Sequence, residues 1–182
     1  MNLDRDKREP KMNHEVDTNH RILVIDDNRA IHMDFKKILC SPVCNETDID
    51  DVAASLFDRK SQLSESCGFS IDSAYQGTDG VNLVTESRNT GRPYAVAFVD
   101  VRMPPGMDGV QTVEQIWDID PHLQIVFCTA YSDYSGAEIL QRFGVNERLL
   151  ILKKPFDRAE VILLATTLSR KWHLSRARHA LI

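Results

Sequence analysis

Hydrophobic residues along the chain are concentrated in short runs, and stretches with helical spacing separate them. Five runs rich in aliphatic, β-branched and aromatic residues predict strands over residues 22–25, 69–74, 94–99, 123–128 and 148–152. The run Ile22–Ile25 is continuous, as is typical of a strand buried on both faces of a parallel sheet. The run that begins at Tyr94 has the same character. Two central strands are therefore predicted.

The stretches between the runs predict amphipathic helices over residues 29–40, 78–88, 108–117, 135–143 and from 157 to 172 or beyond. Asn28 and Asp157 are placed to cap the first and the last of these helices. In the first helix one face carries Ile31, Phe35, Ile38 and Leu39. Five alternating strand–helix units indicate a doubly wound α/β fold, in which a parallel sheet has helices on both faces and right-handed crossovers.

Composition narrows the class of protein. The chain has 182 residues, 42% hydrophobic residues and a formal net charge of −5, values typical of a globular protein that buries a core without disulfides or a structural metal. The acidic balance argues against a nucleic-acid binder. No apolar stretch approaches the ~20 residues that cross a bilayer, and the polar N-terminus lacks the apolar region of a secretory signal. We expect a cytoplasmic protein that binds neither nucleic acid directly nor a membrane.

Three segments fall outside the alternation. We expect a flexible N-terminal arm over residues 1–20, a core domain over 21–172 and a helical extension over 173–182. An acidic insertion with six acidic and two basic residues interrupts the core at about 41–68. A faint helical pattern predicts a short helix within it, over 50–59.

The cysteines favour reduced thiols over a metal site. Cys40, Cys44 and Cys67 lack a nearby histidine or fourth cysteine at zinc-binding spacing. We interpret them as free thiols of a cytosolic protein, and Cys128, within an apolar run, as a buried thiol.

Polar side chains stand where four predicted strands end. Asp26 and Asp27 follow the first strand, Asp100 the third, Thr129 the fourth and Lys154 the fifth. The carboxyl ends of parallel strands meet at one rim of the sheet. Clustered carboxylates need a cation, and hard oxygen ligands suit Mg²⁺. A carboxylate can also be the nucleophile in phosphoryl transfer, with the lysine and the metal offsetting charge on the phosphoryl oxygens.

These residues together resemble the receiver domain of bacterial response regulators, of the CheY-like superfamily. The matching segments are Ile22–Asp27, Ala97–Pro104, Met107–Gly109, Cys128–Ala130 and Lys154–Phe156. The resemblance spans about residues 21–172. It implies a flavodoxin-like, five-stranded parallel sheet with strand order 2-1-3-4-5.

The resemblance also implies roles for the strand-end residues. Asp100 would accept a phosphoryl group from a phosphohistidine on a sensor histidine kinase or histidine phosphotransfer protein. Asp27, Asp100 and the backbone carbonyl of Arg102 would bind Mg²⁺, with Asp26 acting through a metal-bound water. Thr129 and Lys154 would contact the phosphoryl group. The small size of Gly109 suits a tight junction between loop and helix.

Three features depart from the family pattern. The insertion at 41–68 lengthens the first connection, and the loop over 103–109 is one residue longer than usual. Ile151 occupies the position, three before the active lysine, that is often aromatic, which puts an aromatic rotamer switch in doubt. Tyr131 and Arg102 are expected beside the site, where they would set the lifetime of the phosphoryl group.

The sequence leaves the output open. The extension over 173–182 is interpreted as a linker helix that leads to an output domain or to a dimeric coiled coil. A homodimer is therefore one of the alternatives. We expect that this chain lacks an output domain and is the receiver part of a longer protein, with an isolated phosphoryl shuttle as the alternative.

We expect a signalling domain that is not a turnover enzyme. A small-molecule phosphatase or phosphotransferase using an aspartyl phosphate is a second hypothesis. Enzymes of the haloacid-dehalogenase type need an Asp-x-Asp motif that Asp26, Asp27 and Asn28 do not supply. A non-phosphorylated binding module is a third.

Overall fold

The computed structural model describes residues 19–40, 68–130 and 136–180. Several predicted features lie outside the described residues: nearly all of the N-terminal arm, the helix over 50–59, Cys44, Cys67 and Tyr131.

Five strands alternate with five helices. In chain order they are β1 (Arg21–Ile25), α1 (Arg29–Leu39), β2 (Ser70–Ala74), α2 (Gly77–Asn89), β3 (Val96–Asp100), α3 (Gly109–Ile119), β4 (Gln124–Thr129), α4 (Gly136–Phe143), β5 (Leu149–Lys153) and α5 (Arg158–Ala180). All strand pairs are parallel, and the strand order is β2-β1-β3-β4-β5. The predicted doubly wound α/β fold and its strand order are confirmed.

The three central strands β1, β3 and β4 are buried on both faces. Alternate side chains point to opposite sides of a strand, so Leu23 and Ile25 join a hydrophobic cluster with α2 and α3. Ile22 and Val24 join a second cluster, with α1 and α5 on the other face. The continuous hydrophobicity of β1 and β3 is therefore explained by helices on both sides.

The outer strands are less buried because each has a neighbour on one side only. In β5, Leu150 and Ile151 have 40% and 41% of their surface exposed. The apolar sequence of β5 resembles that of the central strands, but its place at the edge of the sheet leaves these side chains accessible. Ile151 in particular lies at the surface.

Side-chain caps define the starts of the first and last helices, as predicted. The Asn28 side chain accepts a hydrogen bond from the Ala30 N–H at 3.0 Å, and Asp157 accepts one from the Ala159 N–H at 2.7 Å. Each cap pairs a donor that the helix leaves unsatisfied. Helix α5 then continues without a break to Ala180, so the boundary at residue 172 stays a prediction. Among the described helices, none has the length and apolar character needed to cross a membrane.

An aromatic contact ties α1 to the sheet and to the start of α5. The ring of Phe35 lies 4.7 Å from Phe98 and 5.1 Å from Phe156, centroid to centroid. Phe35 is fully buried, whereas Met33 on the same helix is 58% exposed.

We expect Phe35→Ala to lower the free energy of unfolding by about 3–5 kcal/mol, because it opens a cavity in a packed core. The matched substitution Met33→Ala should change it by less than about 0.5 kcal/mol. Urea denaturation followed by circular dichroism measures both. Equal losses for the two variants would show that Phe35 does not anchor α1.

Candidate functional site

Strand ends bring the predicted site residues to one rim of the sheet. Asp26 and Asp27 follow β1, Asp100 ends β3, Thr129 ends β4 and Lys154 follows β5. β1 and β3 are neighbours in register from Ile22 opposite Val96 onward. The parallel pairing therefore places their terminal carboxylates side by side.

Three carboxylates form the acidic cluster Asp26, Asp27 and Asp100. Each offers an oxygen, and the three oxygens lie within 4.8 Å of one another. Asp26 is 1% and Asp100 8% exposed, while Asp27 is exposed. The cluster is thus walled by protein on one side and open to solvent on the other, so that a ligand can enter past Asp27.

The ammonium group of Lys154 links two members of the cluster. Its Nζ donates hydrogen bonds to Asp26 Oδ2 at 2.7 Å and to Asp100 Oδ1 at 2.9 Å. Burial is the largest single influence on the pKa of Lys154 and lowers it, but the hydrogen bonds and charges of the two carboxylates together outweigh burial and raise the pKa above its usual value. Lys154 is therefore a cation at neutral pH, held between two buried acids.

Asp26 is fixed at all of its polar atoms. Its amide N–H donates to Ala74 O at 3.1 Å, and its Oδ1 accepts from the Asn28 N–H at 2.8 Å. Its Oδ2 binds Lys154, and its carbonyl oxygen lies 2.7 Å from Nε2 of His32. Asp26 consequently holds its position before any ligand binds.

His32 is not among the site residues predicted from the sequence. A signal was available, because His32 lies three and seven residues before Phe35 and Leu39, on the buried face of α1. A polar residue on the apolar face of a helix needs a buried partner. The distance of that partner in sequence could not be read from helical spacing.

The remaining predicted residues differ in how far they are buried. Thr129 is 6% exposed, and its carbonyl accepts a hydrogen bond from the Lys154 N–H at 2.7 Å. Arg102 is exposed, two residues after Asp100. Cys128 is a buried free thiol, as predicted, and burial is the main cause that raises its pKa. Cys40 is a free thiol at the surface.

Gly109 lets the chain pass directly beneath Asp100. A Cβ at this position would collide with the carbonyl oxygen of Asp100 and lie 2.9 Å from Val101 Cα. The Gly109 N–H donates to Val101 O at 2.9 Å, and Asp108 caps α3 through a reciprocal pair with Gln111. The expected tight junction is confirmed, and its contacts fix the backbone that carries Asp100.

Comparison with known proteins agrees with the resemblance to receiver domains that the sequence motifs indicated. The family model described as "Response regulator receiver domain" matches residues 48–166. Sporulation initiation phosphotransferase F from Bacillus subtilis is 24% identical over 143 residues, covering 79% of this chain and 88% of the relative. The fold resembles the crystal structure of a CheY-like response regulator receiver domain protein from Methanospirillum hungatei, with a TM-score of 0.55 and 24% identity, over 84% of this chain and 95% of the other.

Longer regulators match over a smaller part of their length. The DNA-binding transcriptional regulator NtrC from Klebsiella pneumoniae is 36% identical over 83 residues, which are 46% of this chain. The chain spans 17% of the length of that relative, and 24% of the length of a second Bacillus subtilis relative, the regulatory protein YesN.

The chain belongs to the response-regulator receiver domain family of two-component signal transduction. The matched residues begin after α1, so Asp26 and Asp27 lie outside them. The structure nevertheless places Asp26 and Asp27 beside Asp100, because β1 pairs with β3.

We expect Lys154→Met to destabilise the metal-free protein at pH 7 by about 2 kcal/mol, somewhat less than the loss of a partner from a fully buried ion pair. The carboxyl groups of Asp26 and Asp100 would then lie side by side in a buried site without a compensating cation. The pKa of Lys154 is raised on folding, so its contribution is complete below the usual lysine pKa and is lost as pH rises through the higher folded value.

Urea denaturation of both proteins between pH 7 and 11 measures this difference. The advantage of the natural protein should stay constant to about pH 10 and then decline. Lys153→Met, at an exposed neighbouring position, should cost less than about 0.5 kcal/mol. A difference that grows with pH would exclude the ion-paired ammonium.

Gly109→Ala should lower the free energy of unfolding by about 1–3 kcal/mol, because backbone atoms that meet the new methyl group cannot move aside cheaply. Gly106→Ala in the same loop is the matched control. There the nearest atom to a new Cβ is Gln76 Oε1 at 2.7 Å, the end of a flexible side chain, so the cost should stay below about 1 kcal/mol. Thermal unfolding of the two variants decides, and a larger loss at Gly106 would contradict this account.

Proposed function

We propose that Asp100 accepts a phosphoryl group from a phosphohistidine on a sensor histidine kinase or a histidine phosphotransfer protein. One observation carries the proposal: Lys154 bridges Asp26 and Asp100 within a cluster of three carboxylates at the rim of the sheet. A structural ion pair needs only one acid for each base. Three acids around one lysine leave negative charge that a metal and a phosphoryl group can use.

The transfer is a substitution at phosphorus. A carboxylate oxygen of Asp100 forms a bond to phosphorus while the N–P bond of the phosphohistidine breaks. The leaving imidazole nitrogen keeps the electron pair and takes up a proton, and Asp100 becomes an acyl phosphate. The Lys154 ammonium, 2.9 Å from Asp100 Oδ1, is placed to offset charge on the phosphoryl oxygens. Thr129, at the end of β4, is the proposed hydroxyl contact.

The donor set fits Mg²⁺. Carboxylate and carbonyl oxygens are hard ligands, and Asp26, Asp27, Asp100 and the backbone carbonyl of Arg102 would hold the ion. Both carboxylate oxygens of Asp26 already accept hydrogen bonds, which suits binding through a water molecule. Bound Mg²⁺ would supply positive charge opposite the phosphoryl oxygens.

What the domain controls is proposed from its relatives. One relative is described as a DNA-binding transcriptional regulator, and the chain spans 17% of its length. We propose that the protein is cytoplasmic and that a partner histidine kinase phosphorylates it there. The phosphorylated domain would then control an output domain or a partner protein. In this proposal Ile151, 41% exposed on β5, stands in the place of the aromatic switch residue.

Incubation with acetyl phosphate and Mg²⁺ tests the proposal. The natural protein should gain one phosphoryl group, seen by intact mass and removed by hydroxylamine, which cleaves acyl phosphates. Asp100→Asn should gain none, since an amide cannot serve as the nucleophile. Asp118→Asn, at an exposed acid on α3, should be modified like the natural protein.

Chelation of Mg²⁺ should abolish the adduct in the natural protein. Equal labelling of Asp100→Asn would place the phosphoryl group elsewhere. Sustained hydrolysis of a chromogenic phosphomonoester would instead favour an enzyme that acts on small phosphoesters.

A further inference from the structure

His32 is a buried polar residue on α1 for which the proposed chemistry has no use. It is 2% exposed, and its ring packs on Tyr75 with 4.5 Å between ring centroids. Its Nε2 lies 2.7 Å from the carbonyl oxygen of Asp26. Within the described part of the chain, its Nδ1 has no hydrogen-bond partner.

The contact defines which ring nitrogen carries the proton. A carbonyl oxygen only accepts, so Nε2 must be the N–H donor in this contact. His32 therefore presents a single N–H to the backbone of Asp26.

The hydrogen bond acts on the peptide group between the two acids. The carbonyl of Asp26 and the amide nitrogen of Asp27 belong to one planar unit. Fixing the direction of this carbonyl consequently fixes the direction in which the backbone continues into Asp27. Asp27 is exposed, so the backbone is the main control on the position of its carboxylate.

We propose that His32 is a positioning residue for the acidic cluster: its Nε2–H clamps the Asp26–Asp27 peptide and sets the direction from which Asp27 meets a divalent cation. This inference rests on the proposed function, because it assigns the cation to the same cluster. It adds a residue from α1, outside the strand ends, on which cation affinity depends.

Two substitutions separate the donor from the packing. His32→Phe keeps a ring against Tyr75 and removes the N–H. His32→Gln removes the ring and keeps an amide N–H that can reach the same carbonyl. Leu168→Ala, at a buried position on α5, is the control for general loss of stability.

Mg²⁺ affinity is measured by calorimetry on the full chain, beside urea denaturation of each variant. We expect His32→Phe to bind Mg²⁺ about tenfold more weakly, the lower end of the effect of groups that orient metal ligands. His32→Gln should stay within about threefold of the natural protein, and Leu168→Ala should bind normally despite its lower stability. Affinities that follow stability across the four proteins would overturn the proposal, as would equal affinity of His32→Phe and the natural protein.

A second measurement needs no variant. Long-range proton–nitrogen correlation spectra of the metal-free natural protein should show a proton on Nε2 of His32. The opposite tautomer would overturn the clamp. Absence of Mg²⁺ binding in the natural protein would instead refute the proposed function, while the tautomer would still report on the hydrogen bond.

Discussion

The site depends on the balance between carboxylate repulsion and one ammonium group. Parallel pairing of β1 with β3 forces Asp26 and Asp100 together, and both are buried enough that water screens them poorly. Lys154 offsets that repulsion from the far side of β4, two strands away from β3. Its reach depends on the pairing of β4 with β5 and on the hydrogen bond from its N–H to Thr129 O. The ion-pair network of Asp26, Asp100 and Lys154 therefore depends on the order of the four strands β1, β3, β4 and β5.

The sequence predicted the strands and the residues at their ends well, for a physical reason. Central strands of a doubly wound sheet are apolar over their whole length, so their ends are marked by the first polar residue, as at Asp26 and Asp100. Caps such as Asn28 act over two or three residues and are equally local. The strand order came from the family resemblance, because no local pattern encodes which strands pair.

Features that depend on contacts between distant residues were not predictable from local patterns. His32 belongs to the site through a bond to the Asp26 backbone, and helical spacing indicates only that it faces inward. Likewise Leu150 and Ile151 look like core residues in sequence and lie exposed, because β5 is at the edge of the sheet. Neither result follows from hydrophobicity, since each depends on which neighbour the topology provides.

The long first connection leaves the site intact because of where it enters the fold. It joins the end of α1 to the start of β2, at the end of the sheet opposite the acidic cluster. The residues just before and just after this connection are anchored to the fold, since the Cys40 thiol lies 3.3 Å from Phe69 O and Phe69 is buried against His20. The entropy of closing a loop grows slowly with its length, so extra residues between fixed anchors cost little stability. This long connection separates Asp26 and Asp27 from Asp100 in sequence, while the pairing of β1 with β3 holds the three carboxyl groups together.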